Sequence, residues 1–173
     1  MVVLCDTTLR RLCAEGMLEG YEEKRIGPAS IDLRLGPTIL VEYPQTSDLV
    51  KKSIVGTEPH APHWLMPMEF ILGHTIERFH IPDSYCAQFI LRSSCARRGL
   101  QHLQAGFIDP GFNNSVLTLE LKNVRRVHPV AIWEGMPIGQ LVVMRMDSEP
   151  ERSYREVGRY NNYPSVQPSK GIY

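Results

Sequence analysis

The spacing of hydrophobic and polar positions changes once along the chain, near residue 30. Before that point, the stretch TTLRRLCAEG (7–16) sets Leu9, Leu12 and Cys13 on one face at helical spacing, which predicts a short amphipathic helix. Asp6 or Thr7 can cap its start, and Gly16 or Gly20 can end it. From Ser30 the period is two: Ile31, Leu33 and Leu35 alternate with Asp32 and Arg34, a strand closed by Gly36-Pro37. More strand-like runs follow at 69–79 (EFILGHTIERF), 85–91 (YCAQFIL), 116–123 (VLTLELKN), 130–135 (VAIWEG) and 138–146 (IGQLVVMRM). Turn signals separate them at Pro67, Pro82-Asp83, Asp109-Pro110-Gly111, Asn113-Asn114, Pro129 and Gly135-Met136-Pro137. Many short strands and little helix predict an all-β barrel or sandwich with one short N-terminal helix. Residues 44–62 are polar and weakly patterned, which reads as a long loop or insertion. Residues 147–173 are polar without clear period, either a frayed terminus or an arm that closes over a site.

Composition narrows the class of partner. The chain has 173 residues, 43% hydrophobic and 22% charged, as expected of one globular domain over 1–173. Nineteen basic residues balance nineteen acidic ones, so the general basic excess of a nucleic-acid-polymer binder is absent. Any phosphate binding must then be local. No run of about 18 apolar residues is present, and the start MVVLCDTTLRRLC turns charged too early for a signal peptide. A soluble cytoplasmic protein is expected, with no membrane partner. Cys5, Cys13, Cys86 and Cys95 lack a Cys-x-x-Cys and read as reduced, mostly buried thiols. His60 and His63 sit among prolines with no Cys or Asp beside them, a poor metal site. Trp64 and Trp133 read as core.

Two segments carry chemistry. In LRSSCARRGL (91–100), three arginines and two serines fall close together after an apolar strand, suited to phosphate oxygens or to a solvated basic loop. In AGFIDPGFNNSVLTLELKN (105–123), the turn at Asp109-Pro110-Gly111 and that at Asn113-Asn114 bracket an expected tight hairpin. Period two puts Val116, Thr118 and Glu120 on one strand face and Leu117, Leu119 and Leu121 on the other. Glu120 faces solvent there, or serves as an acid or base between apolar walls. Asp32 and Arg34 suggest a structural or subunit-contact ion pair.

In order along the chain stand Gly27-Pro28-Ala29-Ser30-Ile31-Asp32-Leu33-Arg34-Leu35-Gly36, Arg92 through Leu100, Ala105 through Phe112, Leu117-Thr118-Leu119-Glu120-Leu121-Lys122-Asn123, and Gly135-Met136-Pro137-Ile138-Gly139-Gln140-Leu141. Together they resemble the dCTP deaminase family of the dUTPase-like superfamily, over nearly the whole chain. The resemblance implies a dUTPase-like distorted β-barrel (a β-clip), a homotrimer with active sites shared between subunits, and dCTP as substrate with dUTP as product. Mg2+ is implied on the triphosphate only, with no metal ligand from the protein. Zinc is not implied, and the His-x-Glu and Pro-Cys-x-x-Cys of zinc deaminases do not occur. The resemblance further implies that Ser93 and the Ala105 carbonyl position the attacking water, that Glu120 is general base and then acid, and that Arg97 supports the centre. Substrate binding is implied for Arg92, Ser93, Ser94, Cys95, Ala96 and Arg97, for Asp109 with Thr118, Leu119 and Glu120, and for Gln140, Tyr154, Arg159 and Tyr163. By family, dTTP is a candidate inhibitor.

The chain departs from the family pattern in three places. The link from Gly99 to Ala105 is one residue short, and Asn113–Ser115 is one residue long. In the tail, Arg159-Tyr160 replaces Lys-Tyr, and Tyr163 stands where a glutamine is expected. Gln140 resembles bifunctional members that carry dCTP on to dUMP, whereas Ala96 resembles single-step members. A plain dUTPase and a non-catalytic nucleotide-binding module are the other readings.

Overall fold

The computed structural model describes residues 2–171. The strands are β1 (Val2–Val3), β2 (Leu18–Glu19), β3 (Ile31–Arg34), β4 (Thr38–Tyr43), β5 (Thr46–Ser53), β6 (His63–Leu65), β7 (Phe70–His80), β8 (Tyr85–Leu91), β9 (Leu100–His102), β10 (Phe107–Ile108), β11 (Asn113–Asn123), β12 (Val130–Ile132) and β13 (Pro137–Arg145). Helices α1 (Asp6–Ala14), α2 (Ser93–Arg97) and α3 (Tyr154–Val157) are short. One sheet runs β1-β13-β8-β10 with β3 also on β13, the other runs β5-β4-β7-β11-β9 with β2 also on β7, and β12 pairs with β6. All pairings are antiparallel. The fold is therefore all-β, as the alternating patterns predict.

The two large sheets bury one core. Ile31, Leu33 and Leu35 contribute from β3 and just beyond it, Leu119 and Leu121 from β11, and Leu141 and Val143 from β13. Leu9, Leu12 and Cys13 of α1 bury the face that the helical spacing predicts. Its N-cap is Cys5, with no side-chain cap bond, rather than Asp6 or Thr7. Gly16 follows the helix with a positive φ of 94°, the left-handed stop expected of a glycine there.

Four other expectations need correction. Residues 44–62 are not a single loop: Thr46–Ser53 form β5, a hairpin partner of β4 whose polar composition reflects its exposed edge position. No hairpin forms at Asn113-Asn114. Both residues start β11, where Asn114 has φ 52° and the register slips between Asn113 and Ser115, a β-bulge that takes up the extra residue. Asp32 and Arg34 do not pair with each other. Asp32 meets Arg92 at 3.2 Å, while Arg34 holds the buried Glu77. Trp64 is half exposed at 51%, not core, and Trp133 packs at the core edge.

Candidate active site

Glu120 reaches a cavity because β11 alternates. Leu119 and Leu121 point into the core at 0% exposure, leaving Thr118 and Glu120 on the opposite face. The cavity there has a volume of about 530 Å3. Its polar lining comes from Asp109, Thr118 and Glu120, from the tyrosines Tyr154, Tyr160 and Tyr163, and from Gln167 and Ser169. Ala105 and Phe107 edge it, and Leu49, Phe70, Leu72 and Val116 form apolar walls.

The carboxylate of Glu120 faces a buried imidazole. His102 Nε2 lies 3.2 Å from Glu120 Oε2, close enough for an ion pair when the ring is protonated. The approach is off-line for a hydrogen bond, and neither atom has a hydrogen-bond partner among the described residues. Oε2 is buried against the ring, while the Glu120 side chain as a whole keeps 27% exposure. The sequence reading missed His102. Its only signal is its place three residues after Gly99, on β9, paired in register with Leu121 next to Glu120. The ring also stacks edge-on against Phe89, centroids 4.8 Å apart. Gly106 makes this packing possible, since a Cβ at that position would lie 2.6 Å from the Phe89 carbonyl oxygen and 3.4 Å from His102 Cε1.

The arginine-serine segment lies elsewhere in the chain. Arg92, Ser94 and Cys95 line a smaller hollow of about 180 Å3 with Arg98, Trp133, Met136 and Pro137. Cys95 is buried, its thiol directed at the Pro137 carbonyl and its pKa pushed up by burial. Ser93, Ala96 and Arg97 line neither hollow. Gln140 donates to Ser30 Oγ at 3.1 Å, opposite Asp32 in the sheet. Of the candidate residues, Ala105, Asp109, Thr118, Glu120, Tyr154 and Tyr163 are brought to one cavity. Arg92, Ser94 and Cys95 line the second hollow, Gln140 is bonded to Ser30, and Leu119 can offer only its backbone.

The tail docks along β11. Val116 N donates to the Tyr163 carbonyl, Tyr163 N to Ser115 Oγ, and Gln167 N to Thr118 Oγ1. Tyr154 packs on Phe112 with its phenol pKa raised by burial. Gly111, with φ 85°, lets α3 sit close, because a side chain there would collide with the Ser153 hydroxyl. Arg159 does not reach the cavity; its guanidinium donates to the carbonyls of Lys170 and Gly171.

This architecture is a known one. A 2'-deoxycytidine 5'-triphosphate deaminase from Agrobacterium tumefaciens superposes with a TM-score of 0.67 at 19% identity, covering 83% of this chain and 48% of that one, so that this chain spans about half its length. A point mutant of the phage 80alpha dUTPase superposes at 0.53 and 17% identity, over 78% of this chain and 88% of that one. The fold is thus the all-β, dUTPase-like one. Within that class the chain belongs to the dCTP deaminase-like family, whose model matches residues 3–146. A curated relative from Dictyoglomus thermophilum, named dCTP deaminase, dUMP-forming, is 36% identical over 98% of this chain and 94% of its own length.

Proposed function

We propose that this protein is a zinc-independent dCTP deaminase that carries its substrate on to dUMP: dCTP and two waters give dUMP, pyrophosphate and ammonia. The observation that carries the reading is the Glu120 carboxylate, set by β11 in the wall of a cavity lined by apolar and aromatic groups. The extent of reaction follows the dUMP-forming name of relatives at 35–36% identity. It replaces the simpler expectation of dUTP as final product.

In this reading the Ala105 carbonyl and Ser93 hold a water. Glu120 takes its proton while the oxygen attacks C4 of cytosine. Glu120 then returns protons to the ring and the departing nitrogen, the C4–N bond breaks, and ammonia leaves. Asp109 and Thr118 hold the deoxyribose and base, and Tyr154 and Tyr163 wall the cavity. A second water opens the bond between the α- and β-phosphates. Arg92, Ser93 and Ser94 bind the phosphates and offset the charge on the leaving pyrophosphate, while Arg97 electrostatically supports the reacting centre.

The α2 group and the cavity are separate within one chain, and this supports sites completed between copies. A homotrimer in which α2 of one subunit meets the Glu120 cavity of the next brings Ser93 and Arg97 to the substrate. Mg2+ supplies charge neutralisation on the triphosphate. Phosphate oxygens and water would be its ligands. dTTP has the product's 4-oxo group and the same phosphates, and is expected to compete. The substrates are intracellular metabolites, so a cytoplasmic location goes with this reading. No described helix is long and apolar enough to cross a membrane.

The test is simultaneous measurement of ammonia and pyrophosphate from dCTP. Equimolar release supports the full reaction. Ammonia without pyrophosphate restricts it to dUTP formation, and hydrolysis of dUTP with dCTP left intact refutes deamination.

A further inference from the structure

Beside the cavity sits a hydrophobic cluster separate from the main core. Leu40 of β4, Leu72 of β7 and Val166 of the tail are its buried members, with Leu49 of β5 and Phe70 of β7 packed against them. Val166 is 5% exposed although its neighbours Pro164, Pro168, Ser169 and Lys170 are exposed. Leu72 is in register with Leu40 on one side and with Glu120 on the other. The seat of Val166 therefore lies one strand away from the carboxylate, built largely by the β4–β5 hairpin and β7.

The tail on either side of Val166 is tied to itself and to β11. Lys170 Nζ donates to the Arg159 carbonyl and to the Tyr163 hydroxyl, at 2.6 Å for the latter, and lies 4.1 Å from the centre of the Tyr163 ring. Lys170 N donates to the Tyr160 hydroxyl. Next to Val166, Gln167 Nε2 donates to the carbonyls of Ser165 and Val166, both at 3.1 Å. Two carbonyl acceptors fix which end of the amide is nitrogen, so Oε1 is turned away from them, an acceptor with no hydrogen-bond partner among the described residues. Gln167 is also a cavity wall.

We infer that Val166 is a positioning residue, whose seat in this cluster holds the tail over the cavity and sets Gln167 and Tyr163 against the substrate. The seat acts on closure and not on global stability, since no member of the small cluster belongs to the main core. Its effect on catalysis rests on the dCTP reading above; its effect on the tail does not. Removing a buried valine's methyls shifts the open-to-closed ratio on the order of tenfold.

The experiment is hydrogen exchange and kinetics on full-length Val166→Ser and Val166→Ile. In Val166→Ser without nucleotide, exchange of the Tyr163 and Gln167 amides is expected to rise about tenfold, while that of Leu119 stays unchanged. The KM for dCTP is expected to rise severalfold with kcat largely kept, because bound substrate restores closure. Val166→Ile, still branched and apolar, is expected to keep both near wild type. Unchanged exchange at Tyr163 and Gln167, or an equal rise at Leu119, overturns the seat. Faster exchange with an unaltered KM overturns its coupling to the substrate. Absence of any turnover in the wild type counts against the deaminase reading and leaves the exchange result standing.

Discussion

Arg34→Met isolates a buried charge. Glu77 is fully buried, with Oε1 at 2.8 Å from Arg34 Nε and Oε2 at 3.0 Å from the Arg34 backbone N–H. Arg34 is itself only 15% exposed and also pairs with Glu22. Methionine keeps most of the apolar stem but removes every guanidinium donor. Glu77 then keeps one backbone hydrogen bond and loses its counter-charge. A buried ion pair broken on one side costs about 3–5 kcal/mol. For a domain of this size that is a fall in Tm of roughly 6–20 °C, at about 2–4 °C per kcal/mol. Urea unfolding followed by tryptophan fluorescence measures it. The double variant Arg34→Met/Glu77→Leu removes the charge together with its partner and is expected to be less destabilised than Arg34→Met alone. A loss under about 1 kcal/mol for Arg34→Met, the range of an exposed pair, refutes the reasoning. So does a double variant whose loss equals the sum of the two singles.

Other outcomes concern titrating groups and assembly. Burial lowers the His74 pKa below its ordinary 6.5; Nδ1 donates to the Thr75 carbonyl, and the buried Nε2 has no hydrogen-bond partner among the described residues. The unfolded chain takes up the proton first, so stability is complete above about pH 6.5 and is lost as pH falls below it. His74→Gln is expected to flatten that decline in urea midpoints measured between pH 7 and 5. Cys5 is exposed, with its thiol pKa lowered to about 7 by hydrogen bonds from Thr7 and Thr8, whereas burial raises Cys13 to about 11. Iodoacetamide at neutral pH should therefore label Cys5 first, and mass spectrometry showing Cys13, Cys86 or Cys95 modified as fast contradicts this. Refolding Glu120→Gln together with Arg97→Ala should regain activity in hybrids, in roughly a quarter of sites when the two parents mix at random; no regain speaks against sites shared between subunits.

The strands that alternate against a buried face were legible in the sequence. Ile31, Leu33 and Leu35 keep period two, as do Leu119 and Leu121, because the core selects each of those side chains. β5 was not legible: it lies at a sheet edge with nearly every residue exposed, so nothing there selects an apolar alternation. Asn113-Asn114 carries a turn signal, but the conformation it favours is spent on a bulge, because β11 continues past it against β7. Glu120 was found through its strand face. His102 was not, since what brings it to Glu120 is register between β9 and β11, which has no local sequence mark. Gln167 escaped for a similar reason. The tail docks through irregularly spaced contacts, among them Tyr154, Asn161, Asn162 and Val166, leaving no periodicity to read.

Ammonia release from dCTP by wild type and Glu120→Gln tests the central assignment most directly. The amide keeps the shape of the side chain and removes its ability to take a proton. Wild type is expected to release ammonia, and Glu120→Gln to be slower by roughly 10²–10⁴-fold while still binding dCTP in calorimetry. Equal rates from the two proteins would contradict the assignment of Glu120 as the proton-transferring group.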